Sequence, residues 1–311
     1  MLGDVSNSPQ LPNNSRTVGI TLAVASYALW GFLPLYFLLL APSSALEIVA
    51  WRVVLSLVFC ALIVVVTGQL RALMTIVADR RTVLTLAIAG VLILINWLVY
   101  VFAALSGHVV EAALGYFINP IVTVLLGVLV LGEKLRLVQW VAIGFSAVAV
   151  LVLAVSYGQF PWIALALAFS FGTYGLLKKK VADRVDAVSG LTIETAFLAP
   201  LAIVLLVVMS LTGSLTIGAF GAGHMIALLL AGVVTAVPLL MFAAAARRIP
   251  LTFIGLTQYM SPIAQFLIGV FVLSEAMPPA RWFGFGLVWI ALIILTVDIV
   301  IRSNRSRKDL G

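Results

Sequence analysis

The chain has 311 residues, of which 64% are hydrophobic and only 9% charged, and its mean hydropathy is +1.24. So few polar residues cannot solvate the surface of a water-soluble domain, so the surrounding medium must be lipid. The net charge of +7 is not a nucleic-acid footprint, because the basic residues lie between apolar runs rather than on a polar face, and the single cysteine, Cys60, excludes a disulfide framework and a cysteine-based metal site.

In chain order, residues 1–16 form a polar tail without the basic start and small-residue cleavage site of a secretory signal, and are expected to stay attached. Apolar segments follow near 17–40, 45–67, 82–105, 109–131, 136–155, 159–177, 187–210, 224–246, 251–273 and 281–301. Each is about 20 residues long, enough for a helix rising ~1.5 Å per residue to cross ~30 Å of hydrocarbon. Barrel strands would be about half that length and would alternate polar with apolar residues. The expected fold is an all-α integral membrane protein of ten transmembrane helices.

The fourth and ninth segments align at a constant offset of 142, pairing Leu114 with Leu256, Pro120 with Pro262, Gly127 with Gly269 and Glu133 with Glu275. The match continues through Gly90/Gly232, Trp140/Trp282 and Gly144/Gly286, which marks an internal duplication. The expected domains are a cytoplasmic tail (1–16), a first five-helix repeat (17–155), a second (159–301) and a basic cytoplasmic tail (302–311). Five is odd, so the second copy crosses the membrane in the opposite sense and the repeat is inverted, a device of secondary transporters. A cytoplasmic N-terminus places all 18 Lys and Arg residues except Arg52 and Arg281 on the inner side or in the inner tails, as the positive-inside rule requires.

Pro120 and Pro262 fall near the middle of their spans. Each is expected to break a helix and free the carbonyl four residues earlier, on Tyr116 or Gln258. Asn119 and Ser261 precede the two prolines, and Gln265 extends the polar face of the second copy. The alternative for this group is a kink that serves packing alone. Charges within spans carry more weight, since each is costly in hydrocarbon and normally faces a cavity or a partner. Arg52 lies about seven residues into the second span, with Glu47 and Glu111 at the outer starts of their spans and Asn96 and His108 nearby. An Arg52–Glu111 ion pair would form an outer gate, or merely fix helix packing. Sliding the first half onto the second places Glu194 close to the Trp51–Arg52 position, which makes it a candidate second gate and the leading candidate for a proton-coupling carboxylate; a buried acid bonded to Thr or Tyr groups is the alternative. Trp30 and Tyr174 occupy corresponding places in spans one and six and are candidates to line a common cavity, or to serve as packing aromatics. Glu133 and Glu275 close their spans and are expected to cap or pair locally. Lys178, Lys179 and Lys180 are expected to touch anionic head groups.

Enzyme signatures are absent: no Walker A motif, no dinucleotide fingerprint, no HExxH. The stretches EAALGYFINP (111–120), NWLVYVFA (96–103), LAFSFGTYGLLKKK (167–180), IETAFLAP (193–200), TAVPLLMFAAAARR (235–248) and QYMSP (258–262) resemble the RarD-type members of the EamA family, in the drug/metabolite transporter superfamily. The resemblance covers nearly all of the ten segments. It implies cytoplasmic termini, a central cavity between the halves, and secondary transport of a drug or metabolite across the bacterial inner membrane. The family's name is tied to chloramphenicol sensitivity. In one departure, Trp51 stands before Arg52 where the family pattern has a His, so no proton role of that His carries over. The combined expectation is a carrier that is not an enzyme and needs no cofactor or metal. Its cavity would be lined by Trp30, Asn96, Tyr116, Asn119, Tyr174, Gln258, Ser261 and Gln265, with Arg52, Glu111 and Glu194 as gate or coupling residues. Its partners would be a small-molecule substrate and the bilayer, with proton coupling and a homodimer as further options and no nucleic acid. Metabolite uptake or exchange is the alternative direction, and an intramembrane enzyme or lipid-handling protein the alternative class.

Overall fold

A computed structural model describes residues 13–131, 137–157, 160–246, 248–249 and 257–308. Its described residues hold helices and no strand. In order these are α1 (Asn13–Gly31), α2 (Leu33–Leu39), α3 (Ala45–Val66), α4 (Leu70–Ala78), α5 (Arg80–Leu105), α6 (Val109–Leu131), α7 (Leu137–Tyr157), α8 (Trp162–Val181), α9 (Ala187–Leu211), α10 (Gly221–Leu229), α11 (Ala231–Ala246), α12 (Met260–Leu267) with a π-helical turn at Ile268–Val272, and α13 (Pro279–Lys308). A helix occupies each apolar segment of the sequence. Among the described residues five helices are long and apolar enough to cross a membrane, or six if the bent pair α1–α2 counts as one span. Shorter apolar helices lie at Val109–Thr123, Leu137–Leu153 and Met260–Val272. Glu133, Lys134, Arg136 and Arg247 lie outside the described residues.

The caps follow local chemistry. Ser44 accepts from the Glu47 N–H at the start of α3, and Asp186 accepts from Val188 and Ser189 at the start of α9. Each satisfies donors that a first helical turn leaves orphaned. At Asp186 burial works against ionisation, but the bonds from Ser189 and Val188 outweigh it and hold the carboxyl below its usual range. Asp79 caps α5, and hydrogen bonds from Thr82, helped by the Arg81 N–H, likewise keep its carboxylate low.

The helices pack in a regular set of pairs: α3 against α9, α7 against α13, α6 against α8 and α1 against α12, α5 against α8 and α1 against α11, α3 against α11 and α5 against α9. One core cluster runs through α2, α3, α5, α8, α9 and α11 around Phe37, Val53, Tyr100 and Leu167. A second joins α6, α7, α8, α12 and α13 around Phe117, Phe266 and Phe285. Large apolar side chains such as Val66, Leu201, Phe271 and Ile293 remain on the outside, as expected of a bundle whose solvent is hydrocarbon.

Pro120 interrupts no helix, Pro262 lies just after the turn at residues 258–259 where a helix restarts at Met260, and the sharpest bend lies elsewhere. α6 runs unbroken through Pro120. Pro262 sits in the first turn of α12, where its missing N–H would be unpaired in any case. The sharp bend, 44°, separates α1 from α2, and Pro34 explains it. A proline there has no N–H to give the carbonyl of Trp30, four residues earlier. That carbonyl instead accepts from Gln265 Nε2 of α12 at 3.1 Å. Gly31 permits the approach, since a Cβ at that position would stand 2.7 Å from the Cβ of Ala264.

Candidate functional site

The interior polar residues form three groups. In the first, Asn96 of α5 donates from Nδ2 to the Leu167 carbonyl (3.2 Å) and to Ser170 Oγ (3.1 Å), and accepts from the Tyr116 hydroxyl at 3.0 Å. This ties α5, α6 and α8 together, and it leaves the buried amide well supplied with partners. In the second, Gln265 donates to the Trp30 carbonyl and to Ser261 Oγ, each at 3.1 Å, while its Oε1 is buried without a partner. Trp30 packs edge-on against Tyr27 and tilted against Phe242. In the third, Glu194 of α9, fully buried, accepts from Lys178 Nζ at 2.6 Å and from the Tyr174 hydroxyl at 3.2 Å.

An aromatic ladder connects the first and third groups. Ring centroids step from Phe37 to Tyr100 (5.9 Å), to Tyr116 (5.6 Å), to Phe171 (6.0 Å) and to Tyr174 (6.0 Å). Lys178 Nζ lies 5.8 Å from the Tyr174 ring. At the other end is Arg52, only 4% exposed, with its guanidinium carbon 5.1 Å from the Phe37 ring centre and 4.5 Å from that of Trp97. Arg52 Nε donates to Thr235 Oγ1 of α11 at 3.0 Å. Trp30, Tyr116 and Tyr174 pack against the same core cluster, so the second group borders the ladder. Asn119 is turned to a local bond, accepting from Thr123. Gln258 is half-buried beside Tyr259, with which its side chain hydrogen-bonds.

Two expectations need correction. No ion pair joins Arg52 to Glu111. Glu111 accepts from the Ile163 N–H at 3.2 Å, at the start of α8, where Pro161 offers no side-chain cap. An orphan helix donor in hydrocarbon must find an acceptor, and a carboxylate from a neighbouring helix supplies it. Lys178 is also misassigned as a head-group contact. It turns inward to Glu194, and its side chain is only 27% exposed. Gly190 leaves the room, since a Cβ there would lie 2.5 Å from Lys178 Nζ.

Sequence reasoning missed Thr235, Trp97, Tyr100 and Phe37 around Arg52, and the carboxylates' role as caps between helices. Glu275 accepts from the N–H groups of Val109 (2.6 Å) and Val110 (2.9 Å) at the start of α6, not from a local partner. Glu47 accepts from the Thr216 N–H and hydroxyl, both 2.9 Å. Ser43 bonds Thr216 and His224 nearby. These contacts gather at the end of the bundle where α3, α6 and α8 begin, beside a cavity of about 190 Å³ bordered by Glu111, His108, Trp162 and Arg281. At the opposite end, where α9 begins, a cavity of about 750 Å³ opens between Gln69, Asp186, Val188, Leu240 and Arg248. Among the described residues no group of His, Cys, Asp and Glu is placed to hold a metal ion.

Comparison with known proteins adds ancestry to this geometry. The model of the EamA-like transporter family matches the chain twice, at residues 17–155 and 161–297. Protein RarD of Streptomyces exfoliatus is 46% identical, with 96% of this chain and 94% of that protein aligned. Protein RarD of Escherichia coli strain K12 is 38% identical over 93% of this chain and 97% of that one. The chloramphenicol-sensitive protein RarD of Pseudomonas aeruginosa is 31% identical over 90% and 94%. One solved crystal structure superposes with a TM-score of 0.59 at 17% identity, covering 91% of this chain and 98% of the other, which extends the likeness to the fold.

Proposed function

Because the chain belongs to the EamA-like transporter family, as a RarD-type member, we propose that this membrane transporter is a secondary carrier of small organic solutes. It works by alternating access in the bacterial inner membrane, with both termini cytoplasmic, and exports a drug or metabolite. The arrangement behind this reading is ten spans in two inverted halves, 17–155 and 159–301. The helix pairing supports it: α6–α8 and α1–α12, α5–α8 and α1–α11, and α5–α9 and α3–α11 exchange under such a two-fold, while α3–α9 and α7–α13 map onto themselves.

The observation that carries the proposal is the interior track. Two charges at positions equivalent under the repeat, Arg52 on α3 and Glu194 on α9, stand at either end of a ladder of aromatic side chains inside the bundle. Charges are costly in hydrocarbon and typically mark a pathway. The distribution of basic residues supports a cytoplasmic position for the end with the 750 Å³ cavity, and bonds that Glu47, Glu111 and Glu275 accept from the other half hold the opposite end together. This is the pattern of an inward-open carrier. Glu194 is the coupling residue of the proposal, since uptake of a proton there would release Lys178.

Flux into proteoliposomes that contain only this protein, with and without an imposed pH gradient, tests the reading; the panel includes chloramphenicol and amino acids. Flux that rises with the gradient and falls in Glu194→Gln is expected. Gradient-independent flux would make it a facilitated carrier and remove Glu194 as the coupling site. Turnover of a lipid or peptide without flux would overturn the carrier reading.

A further inference from the structure

Arg52 is the one charge on the track that the protein leaves without an opposite charge. Glu194, its repeat equivalent, has Lys178 at 2.6 Å. Among the described residues Arg52 has no carboxylate partner; it meets one hydroxyl, Thr235 Oγ1 on Nε, and the faces of Phe37 and Trp97. Its Nη1 is buried with no hydrogen-bond partner. A buried, unpaired charge in a bundle within hydrocarbon costs several kcal/mol, and cation–π contacts recover only about 2 kcal/mol when desolvated. An evolved carrier that keeps such a cation is expected to meet an anion there during its cycle.

A second orphan stands beside it. The Tyr100 hydroxyl is buried without a partner, and Tyr100 packs against both Phe37 and Tyr116. Tyr36, Tyr100 and Tyr116 line this region, Tyr36 and Tyr100 against Phe37 and Tyr116 against Tyr100. Of the three, the Tyr36 hydroxyl is engaged with the Ala227 carbonyl and that of Tyr116 with Asn96. The free donors are therefore a guanidinium N–H and a phenol O–H, in an aromatic enclosure.

We infer that Arg52 and Tyr100 form the anion-recognition point of the transport path, taking the carboxylate of a small organic monoanion or zwitterion whose apolar body lies along the aromatic ladder. The charge count selects the class. The guanidinium pairs with one carboxylate, whether on a monoanion or on a zwitterion, whereas a phosphate dianion would bring excess negative charge. A guanidinium edge also presents the geometry that a carboxylate accepts. This assignment rests on the carrier reading for its role in transport, but not for binding itself.

The test is binding to purified full-length protein in detergent, read by quenching of tryptophan fluorescence, since Trp97 is in contact with the guanidinium. The probes are benzoate and phenylalanine, with benzamide and phenylalaninamide as controls that keep the ring and lose the carboxylate. Both acids are expected to bind, and the amides to bind at least tenfold more weakly. Arg52→Gln should weaken the acids by on the order of 10–100-fold, and Tyr100→Phe by about threefold to tenfold. Arg52→Lys keeps the charge as a check on folding. Equal affinity for acids and amides, or acid binding unchanged in both Arg52→Gln and Tyr100→Phe, overturns the assignment. Tightest binding by inorganic phosphate overturns the carboxylate class. Arg52-dependent acid binding without flux in liposomes would sustain the site and overturn the carrier reading, whereas flux of amides alone would do the reverse.

Discussion

Removal of Lys178 is the most informative single change. Its Nζ lies 2.6 Å from Glu194 Oε1, and Glu194 is fully buried. At an effective dielectric constant of ~20 this separation corresponds to roughly 6 kcal/mol of attraction, offset by desolvation of both groups. Deleting one partner of a buried pair typically costs about 3–5 kcal/mol, because the other charge is stranded. Lys178 retains 27% side-chain exposure, so screening by water reduces the expected loss to about 2–3 kcal/mol for Lys178→Met. Glu194→Gln should cost less, since a glutamine can still accept from Tyr174 and Lys178 can extend toward solvent. The double variant should be about as stable as Glu194→Gln alone, a coupling of about 2–3 kcal/mol. Unfolding by SDS titration in mixed micelles measures all three. Strict additivity in the double variant would refute the claim that this pair is a single buried unit.

Further predictions follow from the caps and close contacts. Asp186→Ala should remove the α9 cap and lower stability by about 1 kcal/mol, measurable by thermal unfolding in detergent. The Asp186 carboxyl is held low in the folded state, so its contribution is present above the unfolded value of ~4 and is lost as pH falls through the lower folded value; a melting temperature that rises on acidification in the wild type alone would contradict this. Glu275→Ala should strand two N–H groups of α6 and cost about 2 kcal/mol or more, visible as faster amide exchange at Val109 and Val110. Asn96→Leu should free the Tyr116 hydroxyl and the Ser170 side chain inside the bundle, lowering stability by about 1–3 kcal/mol in the same SDS titration. Gly232→Leu should prevent normal insertion of α11, because a Cβ there overlaps the backbone of Leu55; a properly folded, monodisperse variant would argue against that contact.

The helical segments were legible because their signal is composition, which burial in lipid enforces over some twenty residues at a time. The equivalence of Arg52 and Glu194 was legible too, since an offset of 142 is arithmetic on the sequence. Their partners were not. Lys178 stands in a run of three lysines, and nothing in that run says which one turns inward. Glu111 and Glu275 satisfy backbone donors on helices 52 and 166 residues away, and a backbone N–H has no sequence signature. The proline rule was sound, but the sequence did not say at which prolines it would show: Pro262 lies beside the turn that precedes α12. Pro120 is accommodated within α6, whereas Pro34 frees the Trp30 carbonyl and Gln265 answers it. Telling these apart requires knowing which neighbour carries a spare donor.

The carboxylate caps at the starts of α6 and α8 have a thermodynamic consequence. Glu275 and Glu111 hold N–H groups that belong to the opposite half of the chain, and Glu47 does the same at Thr216. Parting the halves at that end exchanges charge-assisted bonds for water, at about 1.5 kcal/mol or more for each bond lost. In the proposed carrier cycle, four such bonds would weight the empty protein toward this conformer by several orders of magnitude. Occupancy of the proposed track, rather than thermal fluctuation alone, would then set how often the far door opens.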